Sequence, residues 1–274
     1  NSVTFAEVFF GCIIMGAIPI LALPAHRKGD LSGVFEIAEP RAYFIKDSYM
    51  GYNYTSLAIE LKREYPFLKH VFIDSDKDIE GCVKISDIKS QTENFAKGSA
   101  YEPALLLLSG GTTGTPKLIP RTHADYIYNS VRAAIKCKVT DKSVYLSILP
   151  ISHNFSLSCP GFLGVLGKGG TIVMAPSGSP DEVLPLIEEK KVTMTAMVPA
   201  LIPIFSEILD MDLGYDISSL ELLQVGGALL EPDVAKRVCE TWPCKLMQVF
   251  GTAEGLICFT DLEDSDDVII NYQG

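Results

Sequence analysis

Short apolar runs alternate with amphipathic segments along almost the whole chain. An apolar run such as residues 104–108 predicts a buried strand. Segments in which apolar residues recur every three or four positions predict helices that pack on such strands. The apolar positions of the helix predicted over residues 123–139 are Ile127, Val131, Ala134 and Ile135. The alternation of the two patterns therefore predicts a protein that mixes helices and strands throughout.

The predicted strands and helices follow one another in regular order. We predict strands over residues 18–23, 42–45, 71–74, 104–108, 118–120, 145–149, 171–175, 193–198, 220–225 and 246–250. We predict helices over residues 4–15, 26–38, 56–64, 123–139, 181–190, 200–209 and 231–241. The first helix is expected to have Thr4 as its N-cap and Glu7 as the capping-box partner. This order predicts a layered α/β fold with mainly parallel sheets and crossover helices.

Several predicted strands end where a motif of small or polar residues begins. These strands end at Leu108, Leu149, Val225 and Phe250. In an open parallel sheet, ligands bind in the crevice beyond the carboxyl ends of the strands. We therefore expect the motifs that follow these strands to converge on one site.

Composition and charge exclude several classes of function. A net charge of −11 without a basic stripe argues against binding to nucleic acid. The seven cysteines have no metal-type spacing, which indicates reduced residues of a cytoplasmic protein and not a disulfide framework. The most apolar stretch, residues 8–23, is interrupted by Gly16 and Pro19. It therefore predicts a buried helix and strand, and neither a membrane span nor a signal segment.

The stretch after residue 108 has the chemistry of a phosphate-binding loop. Its sequence is Ser109, Gly110, Gly111, Thr112, Thr113, Gly114, Thr115, Pro116 and Lys117. Glycines leave backbone N–H groups accessible, hydroxyls add further donors, and Lys117 adds a positive charge. The spacing fits neither the Walker loop nor the dinucleotide fingerprint. A polar surface hairpin is the alternative interpretation.

Three motifs in the same order resemble one family. The first is the glycine- and threonine-rich loop at residues 109–117, which resembles the phosphate loop of the adenylate-forming superfamily. This superfamily contains acyl-CoA synthetases, peptide-synthetase adenylation domains and luciferases. The segments P-I-S-H-N-F-S-L-S-C-P-G at 150–161 and Q-V-F-G-T-A-E-G-L at 248–256 resemble its siderophore branch. Members of that branch are aryl acid–AMP ligases that act on 2,3-dihydroxybenzoate or salicylate.

The resemblance implies the central part of a large N-terminal domain that binds ATP and Mg²⁺. Residues 1–100 would be an N-terminal α/β portion, and residues 101–274 the portion that binds nucleotide and aryl acid. The implied nucleotide-binding residues are Ser109, Gly110, Gly111, Thr112, Thr113, Gly114, Thr115, Gly226, Gly227, Ala228, Val249, Phe250, Gly251 and Thr252. Many siderophore-type members have methionine at the position of Thr252. Glu254 is the implied magnesium ligand, although a solvated turn carboxylate is the alternative.

The implied catalytic residues are His153 and Lys117. A single histidine in a loop is more often structural than catalytic. The family, however, places a histidine or an aromatic residue here, beside the acid carboxylate and the phosphate. We therefore assign His153 to orientation and charge stabilisation. Lys117 belongs to the pyrophosphate side of the loop.

The implied substrate-binding residues are Asn154, Cys159, Gly227, Val249, Ala253 and Ile257. In the aryl-acid branch, the residue matching Asn154 contacts the 2-hydroxyl. A thiol at Cys159 is a poor partner for a 3-hydroxyl, and Ile257 narrows the space near the ring. Each effect amounts to about 1–3 kcal/mol, which favours salicylate over 2,3-dihydroxybenzoate by a narrow margin.

The resemblance leads to the following hypothesis. The chain is a portion of an enzyme that adenylates an aromatic acid and passes it to the phosphopantetheine thiol of an aryl carrier protein. The family's ribose-binding aspartate, hinge and lysine-bearing C-terminal domain do not occur before Gly274, so we expect poor turnover or none. An acyl- or benzoyl-CoA ligase and a non-catalytic nucleotide- or aryl-binding module are the alternatives.

Overall fold

The computed structural model describes residues 1–88, 98–109 and 117–274. The predicted phosphate-binding residues Gly110, Gly111, Thr112, Thr113, Gly114 and Thr115 lie outside the described residues. The chain forms two compact units. We call residues 3–98 and 104–120 the N-terminal unit, and residues 1–2, 99–103 and 121–274 the C-terminal unit.

The N-terminal unit is built on short strands with three helices. Its helices are α1 (Val3–Met15), α2 (Lys28–Ala38) and α3 (Tyr54–Glu64). Its strands are β1 (Ile20–Leu21), β2 (Ala42–Lys46), β3 (Ser48–Tyr49), β4 (Tyr52–Asn53), β5 (His70–Asp74), β6 (Val83–Lys84), and most of β7 (Pro103–Leu108) and β8 (Leu118–Thr122). Residue 103 of β7 and residues 121–122 of β8 belong to the C-terminal unit. They form a β1-β7-β8 sheet, a parallel β2-β5-β6 sheet and an antiparallel β3-β4 pair. A core around Leu61 and Ile73 joins the β2-β5 pair to α3.

The C-terminal unit is organised around one six-stranded sheet. Its strands are β9 (Val144–Ser147), β10 (Thr171–Met174), β11 (Met194–Met197), β12 (Leu222–Gly226), β13 (Lys245–Gly251) and β14 (Ile257–Phe259). Their order is β10-β9-β11-β12-β13-β14, and all pairs are parallel except β13 with β14. The helices are α4 (His123–Lys136), α5 (Asn154–Ser158), α6 (Gly161–Leu166), α7 (Pro180–Lys190), α8 (Ile202–Asp210), α9 (Pro232–Thr241) and α10 (Asp266–Asn271).

The two central strands are buried on both faces, as expected of a parallel sheet covered by crossover helices. Every residue of β11 and β12 is buried. Alternate residues of β12 join different apolar clusters, because successive side chains point to opposite faces. Leu223 and Val225 belong to the cluster that contains Trp242, whereas Leu222 belongs to the cluster that contains Cys159.

The predicted α/β layout with mainly parallel sheets is confirmed. Each predicted strand is present, although β1 is shorter than predicted and β9 ends at Ser147 instead of Leu149. The helix α1 begins at Val3, so Thr4 lies inside the helix and the predicted N-cap is wrong. The sequence patterns did not predict β3, β4, β6, β14, α5 or α10.

The predicted apolar face of α4 is wrong at three of its four positions, whereas Ala134 is buried as predicted. Its buried residues are Tyr126, Ser130, Ala133 and Ala134. Ile127, Val131 and Ile135 are exposed. The helix packs through small and hydroxyl-bearing side chains, and the larger branched residues face outwards.

All seven cysteines lie in the described residues and are free thiols. Among helices in the described parts of the chain, none combines the length and apolar character that crossing a membrane requires.

Leu223→Ala should destabilise the C-terminal unit by about 2–5 kcal/mol, because it leaves a cavity in the sheet core. Leu223 is 0% exposed, and it shares its cluster with the single tryptophan, Trp242. Denaturant unfolding followed by Trp242 fluorescence measures the change. Leu213→Ala is the matched control, since Leu213 is 59% exposed and its truncation should change stability by less than about 0.5 kcal/mol. Equal effects of the two variants would contradict this assignment of the core.

Candidate functional site

The first part of the site is the carboxyl edge of β12 and β13. The strands are parallel and pair Gly226 with Val249. A Cβ atom at Gly226 would lie 2.5 Å from the Val249 carbonyl oxygen and 3.3 Å from Cζ of Phe155. Only glycine therefore permits this approach of β12 to its neighbours. The register brings the two predicted nucleotide-binding segments, 226–228 and 249–252, to the same edge.

This edge has little side-chain bulk beyond the last buried residues. Gly227 and Ala228 are exposed after the buried Gly226. Gly227 has φ of +86°, a left-handed conformation that glycine adopts without strain. On the neighbouring strand, Val249 is buried, and Phe250 follows with 45% of its surface exposed. A flat ring could lie here against backbone, with an aromatic side chain beside it.

The second part of the site is the loop from β9 to α5. The Asn1 side chain donates to the carbonyl oxygens of Ser147 and Leu149, at 2.8 and 3.0 Å, and accepts from the Ile151 N–H at 2.9 Å. These bonds fix the segment that leads to His153. His153 is the N-cap of α5, and its Nδ1 accepts a hydrogen bond from the Phe155 N–H at 3.2 Å.

That cap determines the form of the His153 imidazole. Desolvation by the surrounding protein lowers the pKa of His153, although the residue keeps an exposed side. The imidazole is therefore neutral near pH 7. Because Nδ1 is the acceptor, its proton is on Nε2. The ring can thus offer an N–H donor to an anionic oxygen, consistent with the predicted role in charge stabilisation.

Asn154, the first residue of α5, has a buried and well-defined amide. Its Oδ1 accepts from the Tyr126 hydroxyl at 2.9 Å and from the Ser158 hydroxyl at 3.3 Å. Its Nδ2 lies 3.4 Å from the Thr252 carbonyl oxygen. A carbonyl oxygen can only accept, which fixes the amide orientation with Nδ2 towards Thr252. Among the described residues, the second N–H of the amide has no hydrogen-bond partner, which leaves it able to donate to a ligand.

Cys159, Val249 and Ile257 meet in one apolar cluster. Cys159 and Val249 are buried members, together with Phe155, and Ile257 packs against the cluster. The Cys159 Sγ lies 3.5 Å from the Asn154 carbonyl oxygen, to which it donates. Burial raises the pKa of the Cys159 thiol to about 12, so it is a neutral, weakly polar group. Three predicted substrate-binding residues thus form an apolar patch beside the Asn154 backbone.

Glu254 lies on the turn between β13 and β14. The Gly255 N–H donates to the Thr252 carbonyl at 3.2 Å, and the Thr252 N–H donates to the Leu256 carbonyl at 2.9 Å. These bonds close the turn that carries Ala253 and Glu254. Glu254 is exposed, and its carboxylate has no hydrogen bond or ion pair within residues 1–88, 98–109 and 117–274. It is available to an external cation.

A single carboxylate fits the kind of magnesium site that the sequence predicts. No group of three or more His, Cys, Asp or Glu side chains in the described part of the chain could hold a metal. Mg²⁺ is often bound by one or two carboxylates together with substrate phosphates and water. Glu254 could hold Mg²⁺ in that way, as one ligand beside a nucleotide.

Ser109 and Lys117 belong to the N-terminal unit. The Lys117 N–H donates to Ser109 Oγ at 3.0 Å, and the Ser109 N–H donates to the Lys117 carbonyl at 3.0 Å. The two ends of the predicted phosphate loop are therefore held side by side. Lys117 is exposed. Its predicted catalytic role stays a prediction.

Two further residues of the site, Arg121 and Tyr126, were not predicted from the sequence. Arg121 is only 2% exposed, and it donates to the Ala253 carbonyl at 2.8 Å and to both carboxylate oxygens of Asp125. Tyr126 orients Asn154 through the hydrogen bond from its hydroxyl to Asn154 Oδ1. An available signal was an arginine directly after the short strand predicted over residues 118–120, followed four residues later by an aspartate.

Comparison with known proteins gives a family for the whole chain. All 274 residues match the family described as AMP-binding enzyme. The chain is 43% identical over 274 residues to the 2,3-dihydroxybenzoate-AMP ligase of Bacillus subtilis, covering 100% of this chain and 50% of that protein. It is 40% identical over 277 residues to the salicyl-AMP ligase / salicyl-S-ArCP synthetase of Mycobacterium tuberculosis, covering 100% of this chain and 48% of that protein.

A solved structure agrees with these relatives. Apo MbtA from Mycobacterium smegmatis matches with a TM-score of 0.89 and 39% identity, over 100% of this chain and 50% of that chain. The chain thus spans about half the length of the curated relatives that it matches. The predicted resemblance to aryl acid–AMP ligases is confirmed by their names and by this fold. The chain belongs to the family of AMP-binding enzymes.

Proposed function

We propose that this chain is the part of an aryl acid–AMP ligase that binds ATP and a hydroxylated aromatic acid. The acid carboxylate attacks the α-phosphorus of ATP, the acyl–phosphate bond forms, and pyrophosphate leaves. The thiol of an aryl carrier protein then attacks the acyl carbon of the acyl-AMP, a thioester forms, and AMP leaves. The observation that supports this function most directly is the buried Asn154 amide, held between the Cys159 patch and the turn that carries Glu254.

The Asn154 amide favours an acid with an oxygen ortho to the carboxylate. Because Oδ1 already accepts two hydrogen bonds, its free capacity is one N–H of Nδ2. The amide therefore donates to the ligand. A phenolic oxygen can accept this bond while its own proton is directed to the adjacent carboxylate. Salicylate and 2,3-dihydroxybenzoate both satisfy that requirement.

His153 and Glu254 complete the proposed chemistry. The neutral imidazole donates through Nε2 to an oxygen of the carboxylate or of the α-phosphate, where negative charge must be stabilised. Glu254 holds Mg²⁺, which when bound neutralises charge on the phosphates. The free cysteines fit the reducing cytoplasm, where we place the protein.

Cys159→Ser should shift the preference of the chain from salicylate towards 2,3-dihydroxybenzoate by about tenfold. The serine hydroxyl can pair with the 3-hydroxyl, and a hydrogen bond of about 1.4 kcal/mol corresponds to that factor. Calorimetric titration of each acid, in the presence of an ATP analogue and Mg²⁺, measures the ratio. Cys239→Ser on α9 is the control and should leave the ratio unchanged. A 2,3-dihydroxybenzoate preference in the unaltered chain would contradict the preference for salicylate expected from the sequence, and binding of neither acid would refute the proposed acid-binding site.

Glu254→Gln should raise the Mg²⁺ concentration required for half-maximal binding of the ATP analogue by about tenfold. The amide keeps the size of the side chain but lacks the charge that a hard cation prefers. Nucleotide titrations at several Mg²⁺ concentrations give this value. Glu207→Gln removes an exposed carboxylate from α8 and should have no effect. If the two variants behave alike, Glu254 is not a metal ligand.

A further inference from the structure

Arg121 is a buried cation that the proposed reaction does not use directly. Its side chain is 2% exposed, whereas that of its ion-pair partner Asp125 is 45% exposed. The Arg121 Nη2 donates to Asp125 Oδ1 at 2.9 Å, and Nε donates to the other carboxylate oxygen. This forked pairing uses one edge of the guanidinium and leaves Nη1 directed elsewhere.

Nη1 is directed at the turn that carries Glu254. It donates to the Ala253 carbonyl at 2.8 Å. That carbonyl and the Glu254 N–H belong to the same planar peptide unit, so a bond to one sets the orientation of the other. The next residue, Gly255, has φ of +130°, and a Cβ atom there would lie 3.5 Å from Arg121 Nη2. The guanidinium therefore packs directly against this turn.

The same guanidinium faces the group that orients Asn154. The Cζ of Arg121 lies 4.9 Å from the centre of the Tyr126 ring, within the range of a cation–π interaction. The Tyr126 hydroxyl donates to Asn154 Oδ1 at 2.9 Å. Asn154 in turn lies 3.4 Å from the Thr252 carbonyl, at the start of the turn. These contacts form a closed circuit from Arg121 through Tyr126 and Asn154 back to the turn.

We propose that Arg121 is a positioning residue that couples the metal-binding turn to the aryl-acid-binding amide. Through Ala253 it fixes the peptide that carries Glu254, and through Tyr126 it fixes the Asn154 amide. Loss of the guanidinium should therefore weaken two binding events at once. This inference rests on the proposed function for the identity of the two ligands, but the circuit itself involves protein groups only.

Two variants separate the branches of the circuit. Arg121→Gln breaks both branches, and the aspartate that it leaves behind is half exposed and therefore solvated. It should raise both the salicylate Kd and the Mg²⁺ requirement of nucleotide binding by about tenfold. Tyr126→Phe keeps the ring beside Arg121 and removes the hydroxyl. It should weaken salicylate binding alone, with the Mg²⁺ requirement unchanged.

Two further variants serve as comparisons. Arg121→Lys keeps the charge but replaces the three nitrogens that bond Asp125 and the Ala253 carbonyl with one nitrogen on a flexible stem, so both defects should persist. Full rescue by lysine would overturn the proposal. Arg237→Gln on α9 also removes an arginine paired with an aspartate, Asp210, and should change neither affinity.

Amide hydrogen exchange of the ligand-free chain tests the circuit without either ligand. Arg121→Gln should speed exchange of the Thr252 and Gly255 amides by about tenfold, while that of the core residue Leu223 stays unchanged. Unchanged exchange at the turn, or an equal loss of protection throughout the unit, would overturn the positioning role. Absence of ligand binding by the unaltered chain, with the exchange result as expected, would instead refute the proposed function.

Discussion

The parallel pairing of β12 with β13 is the constraint on which the site depends. The register sets Gly226 opposite Val249, and the absence of a side chain at Gly226 permits that spacing. Because both strands end at the same edge, the segments that follow them begin side by side. The antiparallel return through β14 then places Glu254 on a closed turn at this edge. Strand register, and not sequence proximity, brings these groups together.

The polarity of the site follows from which hydrogen-bonding groups are already used. Tyr126 and Ser158 occupy the acceptor of the Asn154 amide, and the His153 Nδ1 caps α5. Each side chain therefore has an N–H group left to donate, on Nδ2 of Asn154 and on Nε2 of His153. A ligand with oxygens and negative charge satisfies two donors, whereas one with ortho N–H groups would leave them facing other donors. The chemistry of the ligand is thus restricted by the two donors, Asn154 and His153. It is also restricted by Tyr126 and Ser158, which occupy the Asn154 acceptor.

Sequence reasoning predicted the strands better than the surfaces of the helices. Buried parallel strands appear as apolar runs, so β12 and β13 were visible in the sequence although each contains one buried glutamine, Gln224 or Gln248. The buried face of α4 was not visible in the sequence. The periodic apolar residues Ile127 and Val131 are exposed, whereas Ser130 is buried. Ser130 compensates its own polarity by donating to the Tyr126 carbonyl at 2.9 Å, a bond that no hydrophobic pattern records.

The same limitation explains why Arg121 was missed, and it suggests why an arginine occupies the position. A charged residue in a short strand is normally taken as solvated, since burial of an unpaired charge is costly. Here the cost is offset by Asp125 and by the Ala253 carbonyl. An apolar side chain could fill the same space and avoid the desolvation cost. It could not, however, bond to a turn carbonyl, and the orientation of the Glu254 peptide would then depend on the turn alone. A buried polar network is favoured where one conformation of a loop matters more than the stability that an apolar side chain would add.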